Sequence, residues 1–166
     1  MLSGSKLTKE LKRMKKEEVS KYKPMAWMEI ENTHLVVHNK NNVDTETFED
    51  YMHSVVCNED KIKRALVLSF GGGFDAKQKA VFAKKIMHKV GIKLAFVGIS
   101  EGAGASAARI IANIASRVYV PLDIKFFPMT KLSEAFDHIE VPRVHVMVMR
   151  SKIRFLAGKV GEGLDF

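Results

Sequence analysis

The sequence predicts an α/β fold, a mixed and mainly parallel sheet flanked by helices, and three observations predict it. Two short, nearly continuous apolar runs, Ala65-Leu-Val-Leu-Ser-Phe70 and Leu94-Ala-Phe-Val-Gly-Ile99, have the character of strands covered on both faces. Each runs into glycines and then into apolar residues at three- and four-residue steps, so strand and helix alternate. Ahead of them, Trp27, Ile30 and His34-Leu-Val-Val-His38 read as two short strands paired as a hairpin, with Glu31-Asn32-Thr33 as the turn.

In chain order, Leu7, Leu11 and Met14 fall at helical spacing among lysines, a short amphipathic arm closed by Pro24. After the hairpin, Asn39 to Asn42 form a polar loop. Asp44 or Thr45 then caps a helix whose apolar face is Phe48, Tyr51, Met52, Val55 and Val56. The strand at residues 65–70 breaks at Gly71-Gly-Gly73, and Asp75 caps a helix carrying Ala76, Ala80, Ala83, Ile86 and Met87. Gly91 ends that helix, and the second strand leads through Gly102 to Ser106 into a helix marked by Ile110, Ile111 and Ile114. Val118 to Val120 and Ile124 to Phe127 read as extended on either side of Pro121. Thr130 or Ser133 starts a helix through Leu132, Phe136 and Ile139. From Arg143 to Gly158, Val144, Val146 and Val148 alternate like a strand while Ile153, Leu156 and Val160 keep a helical step. Basic residues between the apolar positions favour helix, with Gly158, Gly161 and Gly163 fraying its end.

A chain of 166 residues is the length of one domain with room for a core. No apolar run approaches the roughly 20 residues of a membrane span, and the basic start lacks a signal core. The single cysteine, Cys57, excludes an intramolecular disulfide, and the cytoplasm is the expected address. The net charge of +8 is unevenly placed: residues 1–24 hold eight basic and three acidic side chains, residues 143–166 five and two, and the middle fourteen of each. The chain therefore divides into a basic arm (1–24), a neutral α/β domain (25–142) and a basic extension (143–166). The basic ends suit peripheral contact with anionic membranes or nucleic acid, or simply solubility.

The chemistry-bearing candidates are few. Gly71, Gly72 and Gly73 before a helix start allow backbone amides to converge on an anion. The run lacks the Gly-Lys-Ser/Thr ending of a phosphate loop, Asp75 competes for the same amides, and a tight turn needing positive φ explains the glycines without a ligand. The second strand-to-helix loop, with Ser100, Gly102 and Ser106, belongs at the same end of a parallel sheet, and Arg109 is the side chain there that suits an acidic group. The six histidines are scattered, with no ligand set for a metal and no signature of a cofactor. Cys57 reads as a small core residue.

Residues from about Ala26 to Pro142 resemble the STAS-like (anti-sigma-factor antagonist) superfamily, and most of all poorly characterised bacterial proteins described as both STAS-like and Sec-fourteen-like. The resemblance is carried by Leu66-Val-Leu-Ser-Phe-Gly-Gly-Gly73 with Asp75-Ala-Lys-Gln-Lys79, by Lys93-Leu-Ala-Phe-Val97, and by Phe127-Pro-Met-Thr-Lys-Leu-Ser-Glu-Ala-Phe136. It implies a regulatory or scaffold domain that binds a protein partner. Switching members of the family carry a serine or threonine at the start of the helix after the central strand, whereas this turn reads Gly71-Gly-Gly-Phe-Asp-Ala76. The expected contact surface is the helix from Asp75 to Lys89, rimmed by Lys77, Lys79, Lys84 and Lys85, with the turn from Ser100 to Arg109. The Sec-fourteen-like side of the resemblance implies instead a small-molecule or lipid binding domain. A fainter likeness to Clp-protease and crotonase-type folds would make Ser106 a nucleophile and His138, beside Asp137, its base.

Overall fold

The computed structural model describes residues 22–86, 92–98 and 123–166, together with residues 6, 8–10 and 12. Strands β1 (Met25–Ile30) and β2 (Thr33–His38) form the expected hairpin. Its loop is the pair Glu31 and Asn32, with φ of 49° and 59°, and Ile30 faces Thr33 across the ladder. Two residues with positive φ match the twist of paired strands, so Thr33 belongs to β2 and not to the turn.

Helix α1 (Thr45–Asn58) follows, capped by Asp44, whose Oδ1 accepts from the Thr47 amide at 2.8 Å and Oδ2 from the Thr47 hydroxyl at 2.8 Å. Then come β3 (Arg64–Ser69), α2 (Ala76–Ile86), β4 (Lys93–Gly98), β5 (Asp123–Pro128), a short α3 (Leu132–His138) and α4 (Arg143–Lys159). The five described strands lie in sequence order; β1 is antiparallel to β2, and β2 through β5 are parallel. The extended segment expected at Val118 to Val120 and the helix expected at 106–114 lie outside the described residues.

Strand alternation divides the core in two. Leu35, Val37, Leu66, Leu68, Ala95 and Val97 point to one face and pack against α3 and α4. Met25 and Val36 point to the other, beneath Phe48, Tyr51, Met52 and Val55 of α1, with Val81 and Phe82 of α2 alongside. Cys57, expected in the core, is exposed because it falls on the opposite side of α1 from that buried stripe.

The ambiguous stretch is a single helix, α4, which buries Met149, Ile153, Leu156 and Ala157. The strand-like valines were a coincidence of spacing: Val144 is 81% exposed, and Val148 is exposed as well. What the sequence presents as an extension from residue 143 is thus a layer of the main core as far as Val160. The helix does not fray at its glycines. Gly161 (φ 78°) donates to Gly158 O at 3.2 Å and Glu162 to Ala157 O at 2.9 Å, which satisfies the last carbonyls in a Schellman cap.

Candidate functional site

The turn after β3 is stapled on all sides. Ser69 Oγ donates to Gly72 O at 2.9 Å and accepts from the Gly71 amide at 3.1 Å. The Gly72 amide donates to Asn39 O at 2.8 Å, and Gly73 O accepts from the Val43 amide at 3.1 Å. Gly71 has φ of 127°, and a Cβ on Gly72 would run into the carbonyl oxygens of Asn39 and Asn41, so sterics alone account for both glycines. The turn also aims Phe74 into an aromatic cluster, with ring centroids 5.0 Å from Phe48, 5.3 Å from His38 and 5.7 Å from both Tyr51 and Phe82.

Helix α2 opens on a reciprocal cap. Asp75 Oδ1 accepts from the Gln78 amide at 2.7 Å, and Gln78 Oε1 accepts from the Asp75 amide at 3.0 Å. The buried Gln78 also donates from Nε2 to Val43 O at 2.9 Å, tying α2 to the segment that leads into α1. With Gly71, Gly72 and Asp75 amides engaged inside the protein, the loop is built as a structural turn rather than as an anion cradle.

Between α1 and α2 lies a groove of about 510 Å³. Phe48, Met52, Val56 and Val81 form its apolar floor; Glu49 and His53 stand on the α1 rim, and Asp75, Lys77 and Lys85 on the α2 rim. Val56, expected to pack inward, is 46% exposed at this floor. Lys77 and Asp75 of the expected contact surface thus meet in one place, whereas Lys79 and Lys84 are not part of the lining. Ser100, Gly102, Ser106 and Arg109 lie outside the described residues.

Between the β1–β2 hairpin and α1 runs a polar chain, buried at His34 and Tyr51 and partly exposed at Glu29, that sequence reasoning missed. His34 Nδ1 is 2.9 Å from Glu29 Oε1 and its Nε2 is 3.0 Å from the Tyr51 hydroxyl. A carboxylate only accepts, so His34 Nδ1 donates to Glu29, and Nε2 on the other side of the ring pairs with the Tyr51 hydroxyl. The hydrogen bond from His34 holds the Glu29 carboxyl below the ordinary carboxylate range, and burial pushes the Tyr51 phenol up. His38, two steps of alternation further along the same strand face, has a buried Nδ1 with no hydrogen-bond partner, and burial lowers its pKa to about 4. The signal available in sequence was the i, i+2, i+4 pattern His34-Val36-His38, which places both imidazoles under α1 and α2.

Comparison of the chain with family models, curated proteins and solved structures returns no match.

The histidine considered as a base, His138, faces Asp123 and not its neighbour Asp137, with Nε2 3.5 Å from Asp123 Oδ1 and 3.3 Å from Asp123 O. It sits at the end of the sheet where β4 begins, next to Lys93, which bridges Glu140 at 2.6 Å and Asp123 at 3.9 Å. Cys57 Sγ is 3.8 Å from His53 Nε2 on the outer side of α1, and no group of three metal-ligating side chains occurs among the described residues.

Proposed function

We propose that the chain is a non-enzymatic, cytoplasmic regulatory or scaffold domain of the STAS-like kind, and that it binds a protein partner in the α1–α2 groove. The groove itself carries the reading: an apolar floor of Phe48, Met52, Val56 and Val81 between polar rims is the shape that accepts an amphipathic helix. Lys77 and Lys85 stand eight residues apart on α2, or about 12 Å at helical rise. That spacing suits a partner helix carrying acidic residues two turns apart on one side of its apolar ridge. The engagement of Ser69 Oγ within the turn, and the absence of any hydroxyl from Gly71 to Ala76, favour constitutive binding over a phosphorylation switch at this position.

A photo-crosslinking residue at Val56 identifies the partner, and titration calorimetry with the purified pair then tests the groove. Val81→Asp and the double reversal Lys77→Glu/Lys85→Glu should each weaken binding at least about tenfold, since burying an unpaired charge or opposing like charges costs more than 1.4 kcal/mol. Lys125→Glu, on β5 and exposed, should leave it unchanged. Equal affinities across all three variants would overturn the groove as the partner site.

One observation favours a second reading, a small-molecule or lipid site: about 510 Å³ lies within the ~300–1,000 Å³ of ligand pockets. A fluorescent fatty acid that binds the purified protein, and is displaced in Val81→Trp, would support that reading. Absence of saturable binding would remove it.

A further inference from the structure

Helix α4 presents a second apolar face, turned away from the core, that nothing in the described structure covers. At 100° per residue, Val144, Met147, Val148, Ser151 and Phe155 fall within one arc of roughly 100°, opposite the buried Met149, Ile153 and Leu156. Val144 is 81%, Met147 73% and Phe155 52% exposed. Arg143, Arg150 and Arg154 border this stripe on one side and Lys152 and Lys159 on the other, and the helix contains no carboxylate. Three of these cations are held against rings: Lys159 Nζ lies 4.9 Å from the centroid of Phe155, and Arg150 and Arg154 each lie 5.5 Å from that of Phe166. Arg150 is fixed further by donating to Ser133 Oγ at 2.9 Å.

We infer that α4 docks the protein on an anionic lipid surface, lying in the plane of the interface with Val144, Met147 and Phe155 inserted and the five flanking cations at the head groups. An apolar stripe bordered on both sides by snorkelling cations is the pattern of an interfacial helix. Its charge matches phosphatidylserine-type head groups. A second copy of the chain fits poorly, because apposed α4 helices would bring five cations against five with no carboxylate on either helix. Nucleic acid fits poorly too, since phosphates need cations at the centre of the contact, where this helix carries Val148, Ser151 and Phe155. No described helix is long and apolar enough to cross a membrane, so the contact is peripheral. The surface lies on the opposite side of the sheet from the α1–α2 groove and is tested independently of it.

The test is co-sedimentation of the full chain with vesicles of phosphatidylcholine alone or mixed with phosphatidylserine, at low and high salt. Binding is expected with phosphatidylserine, at least roughly tenfold over phosphatidylcholine alone, and weaker at high salt. Met147→Glu/Phe155→Ser should lower it roughly tenfold or more with the melting temperature unchanged, because both side chains are exposed. No sedimentation with phosphatidylserine vesicles overturns the proposal, as does binding that the double variant leaves intact, which would place the contact elsewhere on the chain. A protein that elutes as a dimer, and as a monomer when Met147→Glu is introduced, would assign the stripe to a second copy and overturn it equally. Saturable binding of an acidic peptide to α4 without vesicle binding would assign it to a protein.

Discussion

The amide of Gly72 sits 2.8 Å from the carbonyl oxygen of Asn39, so the turn leaving β3 is hydrogen-bonded directly to the turn leaving β2. The contact leaves no room for a methyl group on Gly72, whereas a Cβ on Gly73 meets nothing within 4 Å. Gly72→Ala should therefore cost about 2 kcal/mol or more in urea unfolding, and Gly73→Ala less than about 0.5 kcal/mol. Equal losses at both positions would show that conformational freedom, not close approach, dictates the glycines.

Asn39 does more than accept from Gly72. Its Nδ2 donates to Lys23 O and Val160 O, each at 3.3 Å, and its Oδ1 accepts from the Asn41 amide at 2.8 Å. Asn39→Ala strands these buried groups and should destabilise the fold by ~1–3 kcal/mol. Asn39→Asp, which keeps the acceptor but loses the donors and buries a charge, should be no better. Denaturant midpoints of the two variants decide this, and an Asp variant as stable as wild type would refute the assigned role of Nδ2.

His38 makes stability depend on pH. Its folded pKa of about 4 lies below the ordinary 6.5, so between those values the unfolded chain binds the proton more readily than the folded one. Stability is then complete above pH ~6.5 and falls as pH drops towards 4, by on the order of 3 kcal/mol for a shift of this size. His38→Leu should flatten the stability profile over that window. A slope unchanged in the variant would assign the acid sensitivity to other groups.

The Glu29–His34–Tyr51 chain should respond to Tyr51→Phe with a loss of about 1 kcal/mol, one buried hydrogen bond, while the aromatic packing on Trp27 and Phe74 survives. Because the folded pKa of Glu29 is depressed, its contribution is present above the ordinary carboxylate value and is lost as pH falls through the lowered one. Glu29→Gln should remove that part of the acid limit, which starts at the ordinary carboxylate value, at the foot of the window set by His38, and extends below it. Thermal melts from pH 3 to 7 separate the two.

The parts of the fold legible in sequence were those with strong local signals. The continuous apolar runs that become β3 and β4, the hairpin (apart from Thr33, which sequence assigns to the turn) and the Asp75 cap each carry their own geometry within a few residues, as does the cap of α1, where sequence leaves Asp44 and Thr45 as alternatives. What sequence left obscure depends on distant partners. The role of Asn39 rests on Val160, 121 residues away, and that of Gly72 on Asn41. Helix α4 was hard to read because it is apolar on two faces, inward at Met149 and Ile153 and outward at Val144 and Met147, which blurs a single periodicity. Of the expected contact surface, Asp75 and Lys77 are placed at a groove only by Met52 and Val56 across from them, two residues that periodicity assigns to the inward apolar face of α1.

The bond from Asn39 to both Lys23 and Val160, with Tyr22 packed against Gly161, brings residues 22–23 and 160–161 to one spot. In topological terms the stretch from Tyr22 to Gly161 is nearly a ring, with the Asn39 amide and the Tyr22 ring lying across its seam. Such a ring has no preferred opening: a short linker across the seam, with a new break at Glu31–Asn32, would preserve every strand pairing except the hairpin's covalent link. Spliced as a cassette into a host loop, the same ring would leave the host's cut ends side by side.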